Sequence, residues 1–228
     1  MKIISDGLVC ILDSPSADAP ITSQRGTSKF WHYNRTRGLA LSAIFATILS
    51  IASLVSVPLP FTPIPITLQV MVVFLIVAML GPVYGTYSCL LYLFLGVAGL
   101  PVFAGATSGI AVMLGPAGGY LLGFPVGTLI GGLLARSLAE SRKADAVRVS
   151  AAIFSTLLII YLVGFLWLAV YSKLTPFQAF LIGVVPFIGI DVLKAIVAIP
   201  IALSLRRSGL RLPLRPRSDR HMVYGQQG

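Results

Sequence analysis

Two ionisable residues, Asp191 and Lys194, stand alone in the last apolar segment of this chain. They are three positions apart, which puts them on one face of a helix about one turn from each other. A charge at membrane depth is costly, so such a residue is a functional candidate together with its partner. The carboxylate can accept from a ligand N–H, and the ammonium can pair with an anionic or carbonyl oxygen. The competing reading is an internal ion pair that only spares the helix an orphan charge. A purely structural pair of that kind is readily replaced by apolar residues. Asp191 follows Pro186 and Gly189. A helix starting near Gly189 would hold it in the first turn, where the dipole favours an anion and free backbone N–H groups can bind ligand oxygens.

The remaining candidates are neutral. Gln69 is the one amide side chain between Gly38 and Ala135. It can hydrogen-bond a ligand or glue a neighbouring helix. Phe61 and Thr62 lie in a Pro-rich loop, Thr107 and Ser108 in a Gly-rich connection, and Tyr120 near the start of an apolar segment. Tyr120 also fits an interfacial aromatic belt. Together these residues offer neutral hydrogen bonds and aromatic walls, which suits a small, partly apolar ligand. The sequence has no phosphate-binding loop, no metal-spaced His/Cys cluster and no acid–base set beyond the one pair. No catalytic residue, metal or cofactor is therefore expected. Two cysteines, Cys10 and Cys89, make no disulfide framework.

The elements that must position these residues are membrane helices. From Gly38 to Ala135 the chain runs 98 residues without Asp, Glu, Lys, Arg or His. Hydrophobic residues make up 57% of the sequence, and the mean hydropathy is +0.93. That composition excludes a sizeable soluble domain. Six spans are expected, near residues 38–57, 66–80, 83–100, 119–134, 149–171 and 189–205. Pro58 to Pro65 forms a stiff, extended loop, because proline cannot continue a helix. Residues 101–118 form an apolar, non-helical connection, and residues 177–187 a short lid or re-entrant element. The fold class is thus an all-α membrane protein of six transmembrane helices. Residues 1–36 read as a flexible tail, 37–205 as the transmembrane domain and 206–228 as a basic tail.

The net charge of +10 sits between and beyond the apolar segments. It sets topology and meets anionic membrane lipid, so nucleic acid is not the expected partner. With six spans, Arg35, Arg37, Arg136, Arg142, Lys143, Arg148 and the tail arginines share one side, against Lys173 on the other. The positive-inside rule then puts both termini in the cytoplasm of a cell-membrane protein. The Pro-rich loop, the Gly-rich connection and the start of the last span converge on the outer face. Irregular backbone at that depth lines a cavity or is buried in protein. In the first span Ser42, Ala46 and Ser50 recur every four residues, as do Ala43 and Thr47. Small residues at this spacing make a face for close helix packing, within the chain or against another subunit.

Five segments resemble one family in order and spacing: PLPFTPIPITLQ (58–69), LGP (80–82), GLPVFAG (99–105), LGPAGGYLLGFP (114–125) and PFIGIDVLK (186–194). They are similar to the BioY family, the biotin-specific substrate-binding S components of energy-coupling factor (ECF) transporters. The resemblance spans about residues 36–205. It implies an ECF S-component-like bundle that captures biotin at the outer face and works with a transmembrane coupling subunit and two ATPase subunits. It implies that Asp191 and Lys194 contact the ligand. Gly118, Gly119 and Tyr120 match the family's Gly-Gly-Tyr segment, and Thr67 to Gln69 its Thr-Leu-Gln. It implies partner docking through Ser42, Ala43 and Ala46. The family's Pro-Gly before the aspartate is replaced here by Gly189-Ile190. An S component for a different vitamin is the alternative; an intramembrane enzyme would need more polar groups at the depth of Asp191.

Overall fold

The structure is a computed structural model, and it describes residues 24–135 and 142–207. Residues 1–23, 136–141 and 208–228 lie outside it, and with them most of the two tails and Arg136. Helix α1 spans Gln24–Leu54, upstream of the expected start at Gly38. Strands β1 (Ser56–Leu59) and β2 (Thr62–Thr67) follow, then α2 (Gln69–Val97), α3 (Ile110–Leu114), α4 (Gly118–Ala135), α5 (Arg142–Ser172), α6 (Pro176–Gly183) and α7 (Val185–Arg207).

The Pro-rich loop is extended as expected, and it pairs with the end of the first span. Ser56 faces Thr67, Val57 faces Ile66 and Leu59 faces Thr62 in an antiparallel hairpin, with an irregularity between Val57 and Leu59. Pro58 lies at that irregularity and has no N–H to give the ladder.

Helix α2 is two legs rather than one rod. Gly81 has φ 70° and ψ −163°, a conformation open to glycine, and Pro82 follows. Gln69 and Tyr92 hydrogen-bond to each other through their side chains, 23 positions apart. A straight helix would hold them about 35 Å apart. The chain therefore doubles back at Gly81, and the legs 69–80 and 82–97 lie antiparallel. A Cβ on Gly85 would stand 3.2 Å from Ile76 Cγ2, so the legs nearly touch near the turn.

The other helices build on this hairpin. Ser42 of α1 donates to the Tyr84 carbonyl (2.8 Å), and Ser53 donates to the Val102 carbonyl (2.6 Å), so α1 runs parallel to the second leg. Helix α4 runs antiparallel to that leg, with Gly132 against Pro82 and Thr128 beside Cys89. Helices α4 and α5 share the most extensive contact among the described elements. Gly119, Gly123, Gly127 and Gly131, one every four residues, all face α5. A Cβ at Gly123 would stand 3.0 Å from Ile160 Cα, and one at Gly127 3.0 Å from the Thr156 carbonyl oxygen. Small residues at this spacing let helix backbones approach closely. Helix α7 is antiparallel to α5: Tyr161 meets Asp191 near one end, and Asp145 pairs with Arg206 (3.2 Å) near the other.

Elements thus sort into two ends. One carries Gly38, Gly81, Gly132 and the Asp145–Arg206 pair. The other carries the β-hairpin, residues 98–117 and α6. The packed interior is apolar, with Phe74, Val77, Val149, Ile153, Ala195, Ala198 and Ala202 forming one cluster between α2, α5 and α7. The outer surface is apolar as well: Ile44, Ile51, Leu158, Val170, Leu193 and Ile196 are exposed. That is the surface a bilayer solvates. Four helical segments, Arg35–Leu54, Gln69–Val97, Ala144–Ser172 and Val185–Arg207, are long and apolar enough to cross a membrane, and Gly118–Leu134 is a shorter apolar helix. The chain is a multi-pass, predominantly helical membrane protein.

Two local outcomes differ from the sequence reading, and a third gives the expected short element its form. The Gly-rich connection contains the five-residue helix α3. Residues 176–183 form a capped helix, with Thr175 accepting from the Gln178 N–H and Pro176 in the first turn. The last helix begins at Val185 and not at Gly189, because Pro186 falls in its first turn, where no N–H is needed.

Candidate ligand-binding site

A cavity of about 480 Å³ opens at the end of the bundle that carries the β-hairpin. Its floor and walls come from several elements. Strand β2 gives Pro63 to Thr67, the first leg of α2 gives Gln69 and Val70, and the connection gives Phe103, Ala104 and Thr107. The start of α4 gives Tyr120, Leu121 and Phe124, α5 gives Ile160, Tyr161 and Tyr171, and α7 gives Phe187, Asp191 and Lys194. The walls are mainly aliphatic and aromatic, with a few convergent polar groups, as in small-molecule sites.

Asp191 and Lys194 meet as the spacing predicted. Lys194 Nζ donates to Asp191 Oδ1 at 2.7 Å and also to the Thr67 carbonyl of β2 at 2.7 Å. The second carboxylate oxygen is engaged from another helix, as Tyr161 Oη donates to Asp191 Oδ2 at 2.8 Å. Asp191 is 4% exposed. The helix-terminus argument for it fails, because α7 starts six residues before Asp191 and its free N–H groups belong to the turn before. The carboxylate is held by side chains and not by the dipole.

Gln69 sits at the first position of α2. Thr67 Oγ1 donates to its carbonyl oxygen at 3.1 Å, and its amide donates to the Tyr92 hydroxyl. A polar chain therefore runs from Tyr161 through Asp191, Lys194, Thr67 and Gln69 to Tyr92, crossing α5, α7, β2 and both legs of α2. Tyr92 is buried and packs edge-on against Phe103, at 5.6 Å between ring centres. Phe103 in turn lies over Gly96, where a side chain would collide with its ring.

Tyr120 contributes its ring to the wall, while its hydroxyl donates to the Gly183 carbonyl at 2.7 Å and ties α4 to the end of α6. Gly164 lies against the same ring. Thr107 lines the cavity edge with its hydroxyl donated to the Ala104 carbonyl at 3.0 Å. Three expected residues do not line the cavity. Phe61 is exposed at the hairpin tip, Thr62 accepts from the Ile64 N–H within the strand, and Ser108 is half-buried next to Thr107 in sequence. Among the small residues of α1, Ser42 and Ala46 are buried inside the chain, and Ala43 is exposed.

Tyr161, Phe124 and Phe187 were not singled out from the sequence. Tyr161 did carry a signal. It lies ten residues before Tyr171, or about 15 Å down the helix from it, too deep for an interfacial belt. No group of His, Cys, Asp and Glu that could hold a metal ion occurs among the described residues.

The family model of the BioY family matches residues 22–211. A probable biotin transporter BioY from Pyrococcus horikoshii is 40% identical over 172 residues, covering 75% of this chain and 98% of that protein. A biotin transporter BioY from Thermotoga maritima is 39% identical over 171 residues, covering 75% and 96%. A crystal structure of the S-component for biotin from an ECF-type ABC transporter superposes with a TM-score of 0.67 at 30% identity, covering 76% of this chain and 92% of that one. The family model covers most of the chain, and the match spans nearly the full length of these relatives: the chain belongs to the BioY family.

Proposed function

We propose that this chain is the S component of a biotin uptake system, a transport protein and not an enzyme. It takes biotin into the cavity at the hairpin end and hands it on through an ECF module. The observation that carries this reading is the cavity's division of chemistry. Its walls from α2, the connection and α4 carry no formal charge, and its one ion pair comes from a single turn of α7. Biotin has a bicyclic ring with two ureido N–H donors and a carbonyl, a thioether, and an aliphatic tail with one carboxylate. Asp191 retains lone pairs to accept from an N–H, and Lys194 retains one of its three donors for an oxygen. Apolar walls cover the ring and the tail.

The assembly follows from the same reading. The binding unit lies within residues 37–205. The two legs of α2 count as separate crossings, which with α1, α4, α5 and α7 gives six. The end bearing Gly81 and the Asp145–Arg206 pair faces the cytoplasm with both termini, where Arg35 and Arg207 are exposed to anionic lipid. The partners are a transmembrane coupling subunit and two ATPase subunits. On α1 only Ala43 of the three expected docking residues faces outward, in line with exposed Ala40 and Thr47. That strip supports close approach by a partner helix.

The deciding experiment is saturation binding of radiolabelled biotin to purified protein, with Asp191→Asn and Lys194→Ala beside wild type. Loss of a hydrogen bond to a charged group is expected to weaken binding by about ten- to a hundredfold in each variant. Wild-type protein without saturable binding would overturn the biotin reading. Unchanged affinity in both variants would reduce the pair to a structural role.

A further inference from the structure

We infer that Tyr161 is a positioning residue of the ligand site, acting on the ligand through Asp191. The inference rests on the biotin reading and deepens it. Each oxygen of the Asp191 carboxylate accepts one hydrogen bond, from Lys194 on Oδ1 and from Tyr161 on Oδ2. Lys194 lies on the same helix one turn away, so it moves with Asp191 and cannot fix α7 against another helix through that bond. Tyr161 belongs to α5. It is the donor that fixes the rotation of the carboxylate against a separate element. That element is firmly backed, because the four glycines of α4 bring its backbone against α5. Tyr161 also lines the cavity, so its hydroxyl works at the ligand's own depth. Its one O–H is spent on Oδ2. Tyr161 therefore has no proton to donate to a ligand, and its effect passes through the aim of the Asp191 lone pairs.

A bundle-holding role is the rival explanation, because the same bond ties α5 to α7. A double-mutant cycle shows whether Tyr161 acts through Asp191, and thermal unfolding separates the two roles, because a bond that only holds the bundle lowers the unfolding temperature in step with the affinity. Biotin binding is measured by equilibrium dialysis for wild type, Tyr161→Phe, Asp191→Ala and the double variant, with thermal unfolding of each in detergent. The expected result is a loss of about tenfold for Tyr161→Phe with Asp191 present and less than twofold with Asp191→Ala. Should Asp191→Ala fail to fold, Asp191→Asn replaces it. The neutral amide then accepts a weaker bond, and the tyrosine effect should fall to about threefold. Wild-type affinity in Tyr161→Phe, or an equal loss in both backgrounds, overturns the inference while leaving biotin binding intact. Absence of saturable binding by wild type removes the biotin reading and this inference with it.

Discussion

At the scale of single residues, the site is defined by side chains that hold one another. Gln69 is the clearest case, since it accepts from Thr67 and donates to the buried Tyr92 hydroxyl. Gln69→Ala leaves both without a partner, and an unmade buried hydrogen bond costs about 1–3 kcal/mol. A lower thermal unfolding temperature in detergent, together with weaker biotin binding, is the expected result. Tyr120→Phe separates wall from tether. It keeps the ring against the cavity and removes the bond to the Gly183 carbonyl. Stability should fall by about 1 kcal/mol, with little change in affinity if the ring is what the ligand meets. Asp191 and Lys194 stand out in the sequence because charges are rare at that depth, and Gln69 because it is the one amide side chain between Gly38 and Ala135. For Tyr161 the sequence offers only the depth below Tyr171, and for Tyr92 no signal. A tyrosine among apolar residues has many fates, and only the fold brings these two hydroxyls onto Asp191 and Gln69. Phe61 and Thr62 misled for the opposite reason: their neighbours in the Pro-rich segment do line the cavity, but the hairpin turn carries these two away from it.

At the scale of elements, the breaks were more legible than the seams. Gly81-Pro82 and the four prolines of residues 58–65 each announced a change of direction, and each produced one. The start of α7 was misplaced because Pro186 reads as a breaker, whereas proline in a first turn begins helices. The glycine stripe on α4 repeats every four residues, the same spacing as the small residues of α1. Its consequence can be measured. Gly127→Val puts a branched side chain where even a Cβ would stand 3.0 Å from the Thr156 carbonyl. Overpacking of this kind costs about 1–3 kcal/mol or more, so a marked drop in unfolding temperature is expected. Gly99→Ala is the contrasting variant. It meets nothing within 4 Å, so only its φ of 103° opposes the methyl group, at about 1–2 kcal/mol. Thr175→Ala, which removes the cap of α6, should cost about 1 kcal/mol in the same assay.

At the scale of the whole molecule, the two-ended arrangement makes a topological prediction. In a background carrying Cys10→Ser and Cys89→Ala, Phe61→Cys at the hairpin tip should react with a membrane-impermeant thiol reagent added outside intact cells. Val83→Cys, exposed beside the Gly81 turn, should react only after the cells are opened. The reverse pattern would invert the proposed orientation, and labelling of both from outside would remove the hairpin reading of α2 as two crossings. The polar chain from Tyr161 to Tyr92 has a final consequence for selectivity. Asp191 and Lys194 are each held by partners inside the protein, which leaves the carboxylate its unused lone pairs and the ammonium one N–H. Those few free positions point in directions the protein has already set, so a ligand must match them. A polar group that finds no partner there loses its water without return, at about 1–3 kcal/mol. The walls accept an apolar molecule of the right size, and the polar chain refuses one whose hydrogen-bonding groups are misplaced.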